Sequence, residues 1–186
     1  MMQKNFKVKS EVLDREGIDR ALTRIAHEIL EKNKGAKHLA LVGIRKRGDI
    51  LAERIAEKIE SIEKVKVPVG AVDITFYRDD YDIKANVDIN ATDLNFSVDG
   101  LDIVIVDDVL FTGRSTRAAM DVIIDNGRPK SIQLAVLVDR GHRELPIQAN
   151  YVGKNVPTSE KETIILDIES NGEDKVYVAE KPEKGA

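Results

Sequence analysis

With 186 residues, 42% of them hydrophobic, the chain fits a single domain, 1–186, burying on the order of two-thirds of its unfolded surface. A net charge of −4 removes any bulk electrostatic argument for nucleic-acid binding, so such binding would need a local basic face; four Phe and four Tyr are few for stacking many bases. Cysteine is absent, which excludes disulfides, thiolate metal sites and cysteine nucleophiles, and no window reads as a signal peptide or long apolar span. A soluble, cytoplasmic protein without a membrane partner is expected.

Ile18, Leu22, Ile25 and Ile29 recur at helical spacing between Asp14 and Lys32, the buried stripe of an amphipathic helix ended by Asn33-Lys34-Gly35. Its opposite face carries Arg20, Thr23, Arg24 and His27, which on spacing alone read as a solvated polar face. A strand is predicted at His38–Ile44, then the basic turn Arg45-Lys46-Arg47-Gly48, then a helix from Asp49 to about Ile62 with Ile50, Leu51, Ile55 and Ile59 inward. Cations where a strand passes into a helix suit a pyrophosphate, because arginine forks onto phosphate oxygens. The plain alternative is a basic turn in water.

Val65–Tyr77 reads as one or two strands with a turn near Gly70. The polar stretch to about Gly100 is long for a loop inside a compact domain and is expected to form a flap. Next comes the β-branched run Ile103-Val104-Ile105-Val106, a buried strand with Asp107 and Asp108 at its end. Thr112, Gly113, Arg114, Ser115 and Thr116 follow, and then an apolar pattern that reads as a helix. Backbone N–H groups in such a turn, continuing into a helix N-terminus, suit a phosphate dianion. The carboxylates before it suit a sugar diol or a hydrated cation. A strand at Ile132–Val138, the charged turn Asp139–Pro146 and antiparallel strands near Tyr151–Pro157, Thr163–Ile168 and Lys175–Ala179 complete the pattern.

Strand, Asp-Asp and Thr-Gly-x-Ser together, over Ile103–Ser115, resemble the phosphoribosyl pyrophosphate (PRPP) signature of type I phosphoribosyltransferases. More of the chain is similar to the bifunctional pyrimidine-operon attenuator proteins with uracil phosphoribosyltransferase activity. ALTRIAHEILEKNKG at 21–35, LVGIRKRG at 41–48, DITFYRDD at 73–80, GRPKSIQLAVLVDRGHRELPI at 127–147 and YVGKNVPTS at 151–159 all lie in that family's order.

The resemblance implies a three-layer α/β fold with a central parallel sheet and helices on both faces. A flexible flap at about 77–100 and a small hood, built from about 139–186 with the N-terminus, complete it. It also implies that uracil and PRPP, with Mg²⁺, give UMP and pyrophosphate. Asp107, Asp108, Arg45 and Arg47 would carry catalysis. Val109, Leu110, Phe111, Thr112, Gly113, Arg114, Ser115 and Thr116 would hold the PRPP or UMP phosphate, and Arg45, Lys46, Arg47 and Gly48 the pyrophosphate. Val138, Asp139 and Arg140 would form the uracil hood, and Mg²⁺ would bind mainly through substrate rather than a dedicated protein cage.

A second implied activity is binding a hairpin of the pyr operon's leader mRNA, strengthened by UMP or UTP, through Thr23, Arg24, His27, His142, Arg143 and Lys154. Gln148 stands where a basic residue is common in that family. A homodimer or homotetramer is implied too. The competing expectations are transfer to another base, a regulator that binds nucleotide without catalysis, and a plain nucleotide-binding module; no Walker-type loop supports triphosphate hydrolysis.

Overall fold

The computed structural model describes residues 6–74, 92–168 and 174–180. In chain order they form β1 (Lys7–Leu13), α1 (Arg15–Asn33), β2 (Leu39–Ile44), α2 (Gly48–Glu63), β3 (Val69–Val72), β4 (Asp102–Leu110), α3 (Arg114–Asp125), β5 (Ser131–Asp139), β6 (Tyr151–Asn155), β7 (Glu162–Asp167) and β8 (Lys175–Glu180).

Local chemistry sets the helix limits. Asp14 caps α1 by accepting from the Gly17 N–H at 2.7 Å, and at the other end Lys34 turns left-handed while the Gly35 N–H reaches the Leu30 carbonyl at 2.9 Å. Ile18, Leu22, Ile25 and Ile29 are all buried, and each contributes about 1.5–3 kcal/mol of hydrophobic stabilisation. In α2 the inward stripe is Gly48, Leu51, Ala52, Ile55 and Ile59. Ile50, expected inward, is exposed because it lies about 100° around the helix from Leu51.

A five-stranded sheet in the order β3-β2-β4-β5-β6 forms the middle layer, parallel throughout. Its central strands are apolar on both faces. Leu41, Val104, Val106 and Leu137 pack with α1 and α2, while Val42, Ile103, Ile105 and Val136 pack with α3. The expected three-layer α/β fold is therefore present.

β6, expected to be antiparallel, runs parallel to β5. The antiparallel pairing is confined to a second sheet, β1-β8-β7, whose Ile164, Leu166 and Val176 join the core on the α1 and α2 face. Gly70 is not at a turn either. It pairs with Val42 inside β3, and a Cβ there would lie 2.6 Å from Leu94 Cδ2 and 2.9 Å from the Asp93 carbonyl. Of the stretch read as a flap, 77–91 lies outside the described residues; in 92–100, Ala71 bridges Asp93 and Val98 is buried.

Candidate active site

Three segments meet at the C-terminal edge of the parallel sheet. The first is the end of β4, which does not stop at Val106. Asp107 pairs with Val136, Val109 with Val138 and Leu110 with Asp139, so both carboxylates project from a hydrogen-bonded strand. Asp107 Oδ1 accepts from the Asp108 N–H at 2.9 Å and Asp108 Oδ1 from the Val109 N–H at 2.8 Å. Each acid is thereby held against its own backbone.

The second segment is the basic turn between β2 and α2. Arg45, Lys46 and Arg47 are exposed, and Arg47 Nη1 lies 3.2 Å from Asp108 Oδ2. Gly48, first residue of α2, is buried against β4: a Cβ would sit 2.3 Å from the Val106 carbonyl oxygen and 3.3 Å from Asp107 Cα. Only glycine allows the turn this close to the acidic pair.

The third is the short loop into α3. Gly113 is left-handed, φ 91°, and starts α3 without a side-chain cap; α2 also starts without one. Two helix N-termini, each with partial positive charge, thus sit at one edge of the sheet.

Two adjoining cavities, of about 280 and 440 Å³, share Arg47, Asp107, Asp108, Val109 and Ser115 as walls. The smaller adds Leu110 to Gly113, Thr116, Arg140, Thr163 and Ile164; the larger adds Ile44, Arg45, Lys46, Asp73 and Ile74. A cleft with an amide- and hydroxyl-rich end, a central acidic pair and a basic end matches a molecule with a phosphate, a diol and a second phosphate group in that order. A sequence model of the phosphoribosyl transferase domain matches residues 9–168. The bifunctional protein PyrR of Pelotomaculum thermopropionicum is 57% identical over 177 residues, covering 94% of this chain and 98% of that one. The chain belongs to the phosphoribosyl transferase family, among its bifunctional PyrR proteins.

The Clostridioides difficile bifunctional protein PyrR is likewise 57% identical, over 92% of this chain and 98% of its own. Among solved structures, the hypoxanthine phosphoribosyltransferase of Trypanosoma cruzi superposes with a TM-score of 0.70 at 21% identity, covering 94% and 98% of the two chains. At that identity the likeness shows the phosphoribosyltransferase fold alone.

Within this family frame, the residues taken for the hood separate. Arg140 lines the cleft: its guanidinium lies 4.0 Å from the Phe111 ring centroid, Nε donates to Thr158 Oγ1 at 3.0 Å and Nη2 to the Glu162 carbonyl at 2.8 Å. Burial pushes this guanidinium below its ordinary value, and the Glu162 charge opposes that. Val138 is buried in the core, and Asp139 is occupied by the Gly141 N–H and by Arg143. Thr163 and Ile164 of β7 line the cleft instead. They lie in the C-terminal strand expected near Thr163–Ile168, inside the segment expected to form the hood, but neither residue was singled out, because the outer sheet that carries them is assembled from opposite ends of the chain.

The phosphate-loop residues separate as well. Leu110 buries its side chain, and its carbonyl holds the Arg140 N–H at 3.1 Å. Arg114 lines neither cavity; its Nε donates to Glu144 at 2.7 Å, outside the cleft.

The residues read as an RNA face lie on three elements. On α1, Thr23 bonds to its own helix at the Asp19 carbonyl, His27 is exposed, and Arg24 donates to the Val152 and Gly153 carbonyls of β6 at 3.1 and 2.7 Å. Lys154 of β6 reaches the Val12 carbonyl at 3.0 Å. After β5, His142 meets the Thr158 carbonyl, and Arg143 donates to the Phe111 and Ile147 carbonyls. Gln148 is exposed.

Proposed function

We propose that the cleft transfers a phosphoribosyl group from PRPP to uracil, giving UMP and pyrophosphate. The supporting observation is the convergence of the basic turn, the acidic pair and the uncapped α3 N-terminus in one cleft. The 5′-phosphate takes the N–H and hydroxyl groups of Thr112 to Thr116, where the α3 dipole favours negative charge. Asp107 and Asp108 accept hydrogen bonds from the ribose hydroxyls. The pyrophosphate lies against Arg45, Lys46 and Arg47, which offset the charge that develops as the bond from C1′ to pyrophosphate breaks. Uracil N1 bonds to C1′ as that bond breaks, and its proton passes to the departing pyrophosphate or to water, so no side-chain nucleophile is needed. Arg140, Thr163 and Ile164 line the base side of the cleft.

Asp107 and Asp108 present hard oxygen donors that suit Mg²⁺. Substrate oxygens and water would complete the coordination. When bound, Mg²⁺ offsets charge on the leaving group.

The protein is further proposed to act in the cytoplasm as a homodimer or homotetramer. There it would bind a pyr leader hairpin, with UMP or UTP tightening the complex, through Thr23, Arg24, His27, His142, Arg143 and Lys154. Folded RNA is read largely through phosphates and 2′-hydroxyls, which such a cationic and hydroxyl set can contact.

The test is phosphoribosyl transfer by purified protein with Mg²⁺ to uracil, run beside hypoxanthine, guanine and orotate. Formation of UMP alone supports the reading; transfer only to another base, or to none, overturns it.

A further inference from the structure

The loop from Phe111 to Gly113 must hold its amides in place for a phosphate, and it is too short to brace itself. Its outer side is held by one turn, residues 140–147. The Thr112 carbonyl takes two N–H groups, Glu144 at 3.0 Å and Leu145 at 3.2 Å, and the Phe111 carbonyl takes Arg143 Nη1 at 2.9 Å. Gly113 packs on Leu145 and Ile147, since a Cβ there would meet their side chains at 3.3–3.5 Å. The Phe111 ring stands edge-on to His142, with centroids 5.9 Å apart. One of the bonds that tie this turn to α3 joins two side chains: Arg114 Nε to Glu144 Oε2, 2.7 Å.

Arg114 is the first residue of α3, yet its side chain lines neither part of the cleft, although residues on both sides of it do. A cation beside a phosphate site that turns away from it, onto a carboxylate of the supporting turn, is an anchor and not a ligand. We infer that Arg114 and Glu144 form a clamp outside the cleft that fixes the start of α3, making Glu144 a positioning residue for the phosphate end of PRPP and UMP. The inference rests on the reading of the cleft as a phosphoribosyl site.

Side-chain exposure is 31% for Arg114 and 53% for Glu144, so the pair is partly screened and adds little to global stability. Its effect is local. Loss of the pair, by removal of either partner, lets the first turn of α3 relax.

The experiment is a double-mutant cycle of Glu144→Ala, Arg114→Ala and the double variant, with Glu144→Gln as the conservative change. Each alanine variant raises KM for PRPP and Kd for UMP about two- to fivefold, and the double variant no further. In the Glu144 variants KM for uracil, kcat at saturating PRPP and Tm stay at wild-type values, and Glu144→Gln, which keeps an acceptor for Nε, recovers most of the affinity. Additive losses, or a large loss with Arg114→Ala beside none with Glu144→Ala, would make Arg114 a direct phosphate ligand and overturn the clamp. So would unchanged affinities in both. Should the wild type fail to convert uracil, that result counts against the transferase reading, while the cycle run on UMP binding by calorimetry still decides the clamp.

Discussion

Gly48→Ala offers a sharp test of how the cleft is assembled. Ordinary contact begins near 3.4 Å, and a Cβ at Gly48 would lie 2.3 Å from the Val106 carbonyl oxygen, with the Val106 carbonyl carbon at 3.2 Å and Asp107 Cα at 3.3 Å. All three are backbone atoms of a central strand with partners on both sides, so the basic turn and α2 must move, by about 1 Å. Overpacking of this kind costs about 1–3 kcal/mol, which for a domain of this size lowers Tm by about 2–12 °C. The same shift carries Arg47, now 3.2 Å from Asp108, out of ion-pair range. A displacement of about 1 Å in a positioning element reduces turnover by up to about 100-fold. Calorimetry and initial rates against PRPP give the two readouts. Gly100→Ala is the control: φ is +70° there with no atom within 4 Å, so it carries backbone strain without a clash and leaves KM for PRPP unchanged. A Gly48→Ala protein with wild-type Tm and wild-type PRPP kinetics would refute the close approach.

Replacing both carboxylates, Asp107→Asn with Asp108→Asn, keeps the oxygens that accept the backbone N–H bonds while removing the charge; kcat/KM falls by about 100-fold or more with a small change in Tm, and near-wild-type turnover would remove the pair from the mechanism. The Glu162 carboxyl is held down to about 2 by its hydrogen bond from Lys9 and the Ser159 N–H. A depressed folded-state value stabilises above the ordinary carboxylate range and the gain is lost on acidification toward pH 2, so Glu162→Gln flattens the loss of Tm between about pH 4.5 and 2; an unchanged profile would contradict the pairing. Binding of a pyr leader transcript weakens with salt, and Arg24→Ala with Arg143→Ala reduces the slope by about one per lost phosphate contact; intact binding in that variant would exclude the face. If UMP tightens RNA binding, RNA tightens UMP binding by the same factor, and equal calorimetric UMP affinities with and without RNA would eliminate the linkage.

What the sequence made legible was local in the chain. The acidic pair, the glycine turn and α3 are consecutive, so their relative placement follows from strand, turn and helix geometry alone, and the α1 stripe follows from helical period. Features set by distant segments were not. β1, KVKSEVL, is mostly exposed and has no apolar run; it is a strand because β8, at the other end of the chain, pairs with it. The extension of β4 through Asp107 to Leu110 was hidden because charged residues look like a strand's end, whereas Val136 to Asp139 continue the ladder beside them. Arg114 reads as a phosphate ligand by position, and only the turn arriving from β5 shows where its side chain goes.

A protein of net charge −4 that is to meet RNA needs cations fixed in place rather than a diffuse positive field. Four of the proposed RNA-face side chains satisfy that demand in a common way, since Arg24, His142, Arg143 and Lys154 each hold a main-chain carbonyl of another segment. These carbonyls orient the side chains, with Glu28 and Asp139 adding ion pairs to Arg24 and Arg143, so less rotamer freedom remains to be lost on binding. Two of the four, His142 and Arg143, belong to the turn that braces Phe111 and Thr112. A phosphate that tightens the loop therefore acts on the Phe111 carbonyl that holds Arg143 and on the Phe111 ring that His142 meets edge-on, whereas Arg24 and Lys154 are held by β6 and the end of β1. Nucleotide dependence should then concentrate in His142 and Arg143: His142→Ala reduces the factor by which UMP tightens RNA binding, while Lys154→Ala weakens binding equally with and without UMP. Equal nucleotide dependence in the two variants would show that the linkage runs by another route.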